Sequence, residues 1–368
     1  MTNFARLPDR SFRLRLVGHP AVLHSLQASA DLSSWVTLLT TNAPTGAVDF
    51  VDASGNLEKR FYRAQSLPSQ VTVLTTNYHG WPNSILLSNG KVEAVLVPAV
   101  GRIMQFRLVG ESGMFWENRS LDGQAPDPNS TSWKNFGGDK TWPAPQSDWP
   151  RVTGRSWPPP KGFDAVPASA GVTNGVVTIT SPGDSSYGIK ILRRVELEPE
   201  MPVMRVTTTF EKVSDATNRV SVWVIAQLND PLRVFLPVPP ASRFANGYTL
   251  QSSTPPAGLS MSDGLISLIR DRAAGHKIGS DAETLLWVGQ SVCLRIDSAR
   301  VETEDYPDNG SSVEVYTNPD PDAYVELEML GPLRTLKVGD RIQQTTTYTL
   351  IRRTEPTPEA EAKMILSR

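Results

Sequence analysis

The fold of this chain is decided by residues 311–353, whose sequence is SSVEVYTNPDPDAYVELEMLGPLRTLKVGDRIQQTTTYTLIRR. Short runs of β-branched and aromatic residues, such as VEVYT, YVELEML and QQTTTYTLIR, alternate with turn sequences such as NPDPD and VGD. Runs of this length, bounded by Gly, Pro, Asn and Asp, are typical of β-strands joined by hairpins. We therefore predict a set of antiparallel strands at the end of the chain.

The same pattern extends back over most of the chain, in runs such as KVEAVLVP, GIKILRRVEL, PVMRVTTTFEKV and RVSVWVIAQL. The clearest helical sequence is the C-terminal TPEAEAKMILS, which has a threonine cap, early acidic residues and good helix formers. Many short strands with turn signals between them predict an all-β sandwich architecture.

The composition narrows the partners. The chain has 368 residues, a net charge of -2 and 20% charged residues, so it carries no basic field for nucleic acid. No window approaches the ~18 consecutive apolar residues that a membrane helix needs. The single cysteine excludes an internal disulfide framework, and no His-x-His or His-Glu-x-x-His spacing points to a metal. We expect no nucleic acid, no membrane span, no metal and no cofactor.

A domain boundary is expected near residue 67, because the strand pattern restarts after RFYRAQSLPSQ. The first module, 1–67, is small enough that its core is marginal alone, and Trp35 is its expected anchor. The motifs ASADLSSW and RFYRA, within residues 12–64, resemble a short immunoglobulin-like or fibronectin-like β-module of exported bacterial proteins. That resemblance implies a periplasmic or extracellular location with the signal peptide absent from this sequence, since MTNFARLPDR lacks an apolar core. A cytoplasmic location is the alternative.

The second domain, 68–368, carries four motifs in a characteristic order: Gly101-Arg102-Ile103, Val315-Tyr316-Thr317, Leu327-Glu328 and Val338-Gly339-Asp340. In this order they resemble the galactose mutarotase-like superfamily. NFGGDKTWPAPQ and HKIGS resemble more closely an uncharacterised bacterial family within it. The resemblance implies an antiparallel supersandwich of two large sheets and carbohydrate recognition on a concave face.

Residues 133–160, WKNFGGDKTWPAPQSDWPRVTGRSWPPP, hold four of the nine tryptophans and no hydrophobic period. We interpret this stretch as an ordered loop, without helix or regular strand, that covers the mouth of the cleft. Aromatic rings cover the apolar face of a pyranose, so Trp133, Trp142 and Trp149 are candidate sugar-binding residues. The alternative is that the rings only close the end of the sandwich.

Glu328 matches the general base of sugar mutarotases, which removes the proton of the C1 hydroxyl while a histidine protonates the ring oxygen. Glu326 lies two residues earlier and therefore on the same sheet face. The matching central strand offers Gln227 in place of a histidine, and an amide binds hydroxyls without transferring protons. His276 and Lys277 are therefore the candidate acid partners.

Three further polar residues are candidates for sugar binding. Asp139 and Lys140 follow a Gly-Gly pair and either bind the ligand or form a local ion pair. Arg102 either binds hydroxyls in a fork or pairs with Glu117.

The sequence as a whole predicts a carbohydrate-binding protein that takes an oligosaccharide or polysaccharide, with a role in capture or processing. The alternative is an enzyme of the epimerase, mutarotase or polysaccharide lyase type with Glu328 as its base.

Overall fold

The structure is a computed structural model that describes residues 3–18, 24–41, 47–54, 59–67, 71–127, 130, 132–164, 166–214, 216–256 and 258–367. The chain divides into two compact units, Met1–Thr72 and Val73–Arg368.

The first unit is built from the strands β1 (Asn3–Arg6), β2 (Phe12–Val17), β3 (His24–Ser29), β4 (Val36–Thr41), β5 (Ala47–Asp52) and β6 (Phe61–Ser66). They form two three-stranded antiparallel sheets, in the orders β1-β2-β5 and β4-β3-β6. Leu14, Leu16 and Leu26 are buried among these strands. Trp35 is only half-buried, with the Arg63 guanidinium 4.1 Å from its ring centroid, so the expectation that it anchors the core is wrong.

The second unit is built from strands that form two large sheets. They are β7 (Thr72–Tyr78), β8 (Trp81–Ser88), β9 (Val92–Val97), β10 (Arg102–Leu108), β11 (Asp139–Ala144), β12 (Ser169–Thr173), β13 (Val176–Thr180), β14 (Ile189–Leu197), β15 (Val203–Lys212), β16 (Asn218–Asn229), β17 (Arg233–Pro237), β18 (Thr249–Leu250), β19 (Ser260–Ser262), β20 (Leu265–Leu268), β21 (His276–Ser280), β22 (Thr284–Val288), β23 (Val292–Asp297), β24 (Val313–Thr317), β25 (Tyr324–Leu330), β26 (Arg334–Leu336) and β27 (Arg341–Arg352). The helices are short: α1 (Trp149–Thr153), α2 (Lys161–Asp164), α3 (Pro358–Leu366) and four single 3-10 turns at Pro98–Val100, Arg119–Leu121, Gln146–Asp148 and Asp308–Gly310.

One sheet has eleven strands and runs β18-β21-β24-β25-β16-β11-β10-β9-β8-β7, with β26 also paired to β16. The other has ten strands and runs β12-β13-β14-β15-β27-β23-β22-β17-β20-β19. The pairs β11–β16, β16–β25, β24–β25 and β15–β27 are all antiparallel. The prediction of an all-β, antiparallel supersandwich is confirmed.

Strand alternation assigns a role to each face of the eleven-stranded sheet. On β25, Val325, Leu327 and Met329 point toward the ten-stranded sheet and are buried in the core between the sheets. The intervening residues, Glu326 and Glu328 among them, point to the opposite face. That outer face holds the candidate site.

The segment 133–160 departs from the expectation that it has no regular structure. Asp139–Ala144 forms β11, which pairs with β16 along its whole length. Pro143 is tolerated because β10, the neighbour on the other side, pairs with β11 only at Asp139. The C-terminal helix, in contrast, is confirmed as α3, with the Thr357 side chain accepting a hydrogen bond from the Ala360 amide.

A buried polar contact joins the two sheets. The Asp139 carboxylate accepts hydrogen bonds from the Arg193 guanidinium and, at 2.5 Å, from the Tyr348 hydroxyl. Both partners belong to the ten-stranded sheet, and Asp139 is fully buried.

We predict that Asp139→Asn lowers the free energy of unfolding by about 3 kcal/mol, because it leaves a buried guanidinium without its counter-charge. Urea denaturation followed by far-UV circular dichroism measures this. The control is Glu211→Gln, which removes a half-exposed pair with Arg341 and should cost less than about 1 kcal/mol. Equal losses in the two variants would contradict the role assigned to Asp139.

Candidate functional site

A cavity of about 430 Å³ lies on the outer face of the eleven-stranded sheet. The sheet provides its floor, and residues 133–157, which include β11, provide much of its wall. Its lining is mostly aromatic and polar and consists of Trp133, Trp142, Gln146, Trp157, Trp223, Gln251, Ser252, Gly275, His276, Lys277, Tyr316, Asn318, Tyr324, Glu326 and Glu328.

The floor follows directly from strand register. Glu328 on β25 lies opposite Glu314 on β24, and Glu326 lies opposite Tyr316. On the next strand, Lys277 lies opposite Tyr316. Directly opposed residues of antiparallel strands share a face, so these five side chains are brought together by pairing alone.

Lys277 lies between two of the carboxylates. Its Nζ is 2.5 Å from Glu314 Oε2, 2.8 Å from Glu328 Oε2 and 4.5 Å from the centroid of the Trp223 ring. The Trp223 indole also donates to Glu328 Oε2 at 2.6 Å. Burial lowers the pKa of Lys277, but the two carboxylates outweigh burial and raise it overall. Lys277 is therefore charged and held in place.

Glu328 itself is fully buried beneath this lysine. No described residue donates to its second oxygen, Oε1. Burial raises the pKa of Glu328 well above its ordinary value; Lys277 lowers it by less, and Glu314 and Glu326 add to the rise. Glu328 thus combines a raised pKa with one buried oxygen that receives no hydrogen bond from the described residues.

A second ion pair lies beside the first. Lys140 Nζ is 3.3 Å from Glu326 Oε1, and the Gln227 amide donates to the same oxygen at 2.9 Å. The lysine also lies 4.7 Å from the Trp142 ring centroid, and only 1% of it is exposed. Burial lowers the pKa of Lys140, while Glu326 offsets part of that effect. Glu326 remains partly exposed toward the cavity.

Five tryptophans form one cluster in the cavity wall. Trp142 is its centre, with edge-to-face contacts to four other indoles at centroid distances of 5.5–6.0 Å. Trp149 is fully buried behind it and stacks on Trp157 at 6.2 Å. Trp157 is 46% exposed, so it is the ring of this cluster that presents most surface to a ligand. The cluster consists of Trp133, Trp142, Trp149, Trp157 and Trp223.

Asp164, at the end of α2, fixes two of these rings. Its carboxylate accepts from the Trp133 indole at 2.5 Å and from the Trp142 indole at 3.2 Å. The Arg102 guanidinium donates to the same carboxylate and, at 2.7 Å, to the Gly137 carbonyl. Asp164 is therefore a positioning residue for the wall of the cavity.

The structure places five of the expected ligand-binding residues outside the cavity lining. Arg102 is buried and pairs with Asp164 instead of Glu117. Asp139 faces the core between the sheets because adjacent residues of a strand point to opposite faces.

The other three of these residues are buried close to the cavity. Lys140 and Gln227 lie on the outer face of the sheet but beneath the lining, where both contact Glu326. Trp149 lies behind Trp157 and stacks on its ring.

His276 lies in the cavity lining, at the start of β21. Its Nδ1 is 3.0 Å from the Thr254 carbonyl oxygen, and its Nε2 is 3.0 Å from Asp271 Oδ2. Two acceptors around one ring satisfy both nitrogens when the ring is protonated. His276 is thus engaged by the protein itself, and Lys277 is the nearer partner of Glu328.

Sequence reasoning missed several residues of the cavity. Tyr324 could have been found, because it precedes Glu326 by two residues and so shares its face. Trp157 lies within the tryptophan-rich segment, but its exposure depends on the packing of α1. The missed lining residues of polar or aromatic type are Gln146, Trp157, Trp223, Gln251, Ser252, Tyr316, Asn318 and Tyr324.

Two classes of site are not found among the described residues. No group of three or more His, Cys, Asp or Glu side chains in the described ranges is arranged to hold a metal ion. Within the same part of the chain, no helix is long and apolar enough to cross a membrane.

The second unit has the galactose mutarotase-like fold. A galactose mutarotase-like protein from Lactobacillus casei ATCC 334 superposes with a TM-score of 0.51 at 9% identity, over 73% of this chain and 100% of that chain. The Slr1438 protein from Synechocystis sp. PCC 6803 superposes with a TM-score of 0.50 at 11% identity, over 78% and 98% of the two chains.

A TPR-domain containing protein from Parabacteroides distasonis ATCC 8503 matches 94% of this chain and 55% of its own length, with a TM-score of 0.51 at 12% identity. No protein-family model and no curated protein matches the sequence. At these sequence identities the similarity establishes the fold alone, and any statement about chemistry must come from the residues of the site. The immunoglobulin-like assignment of the first unit stays a prediction.

We predict that Asp164→Asn loosens the tryptophan wall, because an amide cannot accept all three donors that the carboxylate accepts. The near-UV circular dichroism of the indoles should weaken while the far-UV spectrum is retained. Asp148→Asn, in the same segment but paired with the exposed Arg151, is the matched control and should leave both spectra unchanged. An unaltered near-UV spectrum for Asp164→Asn would show that the rings are held by packing alone.

Proposed function

We propose that this protein binds a saccharide in the cavity over the eleven-stranded sheet. The observation that carries the proposal is the division of the cavity into an aromatic wall and a polar floor. A pyranose has one face of C–H groups and a rim of hydroxyls, which call for these two surfaces together.

The aromatic wall supports the proposal through Trp157. This ring is exposed without a ligand, and its stacking on Trp149 holds it in one orientation. A ring that is already fixed costs less conformational entropy on binding than a mobile one. The cavity volume, about 430 Å³, lies within the range of ordinary small-ligand sites and suits a short saccharide segment.

The polar floor supplies planar groups suited to hydroxyls. Glu326, Asn318 and Gln251 line it with carboxylate and amide groups, and Lys277 adds an ammonium that is 20% exposed. The hydroxyls of a sugar donate and accept at once, so they match a floor that mixes both kinds of group.

Polysaccharide capture with the first unit as a spacer is the role we infer for such a site. The location outside the cytoplasm remains part of this proposal, and it rests on the resemblance of the first module.

Acid–base catalysis is the second candidate function, and the state of Glu328 favours it. A buried carboxyl group with a raised pKa beside a charged lysine is typical of proton-transfer sites. Because Glu328 has no exposed surface, binding through Glu326, Lys277 and Trp157 is the better supported function.

We predict that Trp157→Ala weakens saccharide binding about tenfold, which corresponds to the loss of about 1.4 kcal/mol of stacking energy. Isothermal titration calorimetry against a panel of neutral and charged oligosaccharides measures this. Trp35→Ala, which removes a half-buried indole in the first unit, is the control and should leave the affinity unchanged. If no oligosaccharide of the panel binds at millimolar concentration, the proposed function is wrong.

For the catalytic alternative, we predict that Glu328→Gln abolishes sugar anomer exchange, measured by NMR, and leaves binding within a few-fold. The wild-type rate should rise with pH through a pKa above 4.5, since the base must lose its proton and burial raises its pKa. Glu302→Gln, an exposed site, serves as control. Exchange at the wild-type rate in Glu328→Gln would exclude Glu328 as the base.

A further inference from the structure

Among the described residues, the acidic side chains around the cavity floor outnumber the lysines. Glu314, Glu326 and Glu328 lie beside two lysines, Lys140 and Lys277. A fourth acidic side chain, Asp308, lies near Glu314, and burial and then the charge of Glu314 raise the pKa of Asp308 to about 6.

Both lysines are already committed to protein partners. Lys277 contacts Glu314, Glu328 and the Trp223 ring. Lys140 is enclosed between Glu326 and the Trp142 ring. The other basic residue of the lining, His276, contacts Asp271 through Nε2. Among the described residues, the charge of the lining lysine is thus already balanced by protein carboxylates, which disfavours an anionic sugar.

Glu326 is the carboxylate that a ligand reaches. Its Oε1 accepts from Lys140 and Gln227, whereas no described residue donates to its Oε2. Its side chain is 12% exposed, in contrast to the fully buried Glu314 and Glu328. A donor on the ligand would satisfy this oxygen.

Aromatic rings flank the same carboxylate. Tyr316 lies directly opposite Glu326, and Tyr324 lies two residues before it on the same face. Burial and the charge of Glu326 raise the pKa of both phenols, so both hydroxyls stay neutral. A carboxylate oxygen beside aromatic rings suits an organic ammonium group, since the carboxylate accepts its hydrogen bonds and the rings attract cations.

We propose that this cavity selects an amino sugar, with the sugar ammonium seated on Glu326 between Tyr316 and Tyr324. This inference rests on the proposed function, because it names the saccharide class that the same site takes. It excludes uronates and sulfated sugars as preferred ligands.

The test uses three β-1,4-linked tetrasaccharides that share one backbone and differ at C2: the tetramers of glucosamine, N-acetylglucosamine and glucose. Calorimetry at a pH slightly below neutral, where the sugar amines carry their protons, should show the glucosamine tetramer binding at least tenfold more tightly than the glucose tetramer. The monosaccharides galactosamine and galactose, which have the opposite configuration at C4, test the same difference between an amine and a hydroxyl at C2.

Glu326→Gln should bring the ratio of the affinities for the charged and neutral tetramers close to one, because glutamine still accepts a hydrogen bond from a hydroxyl but carries no charge. Glu200→Gln makes the same change of net charge at an exposed site and should preserve the difference. If both variants lose the preference for the glucosamine tetramer equally, that preference comes from general electrostatic attraction, and the proposal is wrong.

The two proposals fail in different ways. Equal binding of the charged and neutral sugars, or tighter binding of a glucuronate oligomer, overturns the selection of amino sugars and leaves saccharide binding intact. Absence of binding by every sugar in both configurations overturns both.

Discussion

The buried carboxylate of Asp164 is the interaction on which the cavity depends. It accepts from one guanidinium and two indoles, and each donor comes from a different part of the chain: Arg102 from β10, Trp133 from the segment before β11, and Trp142 from β11 itself. A buried charge is stable only when its hydrogen-bonding capacity is met, so the carboxylate and its three donors require one another. The orientation of the tryptophan wall follows from this mutual requirement. Arg102, which the sequence suggested as a ligand-binding residue, instead contacts Asp164 and so helps to hold the tryptophan wall in place.

Much of the fold could be predicted from local sequence patterns, namely alternating apolar residues and the turn residues between them. The runs around Glu328 alternate with period two, and turn residues separate them, so strand type and hairpin order can be predicted without tertiary information. The same alternation places Glu326 and Glu328 on one face. It fails for Asp139 and Lys140 because their strand contains a proline and lies in a tryptophan-rich segment, which hides the period.

The rest of the site depends on pairing between distant strands and could not be predicted from one sequence. Glu328 on β25 and Lys277 on β21 lie on either side of β24, and their side chains meet across it. Nothing local in the chain specifies this strand order. Asp164 lies 31 residues from Trp133 in a sequence that carries no strand signal. Charge balance is likewise a property of the assembled floor. Each of its lysines and glutamates, taken alone, resembles an ordinary residue of a solvated strand.

The tryptophan cluster also gives the protein an intrinsic optical property. Indoles whose ring centroids lie 5.0–6.4 Å apart exchange electronic excitation far faster than they emit, so light absorbed by any ring of the cluster is shared among all five. Emission from the group then reports on its most exposed member, Trp157. A molecule that covers or quenches this single ring therefore alters the fluorescence of the whole cluster. Ligand binding in the cavity can thus be followed by the intrinsic tryptophan fluorescence of the protein.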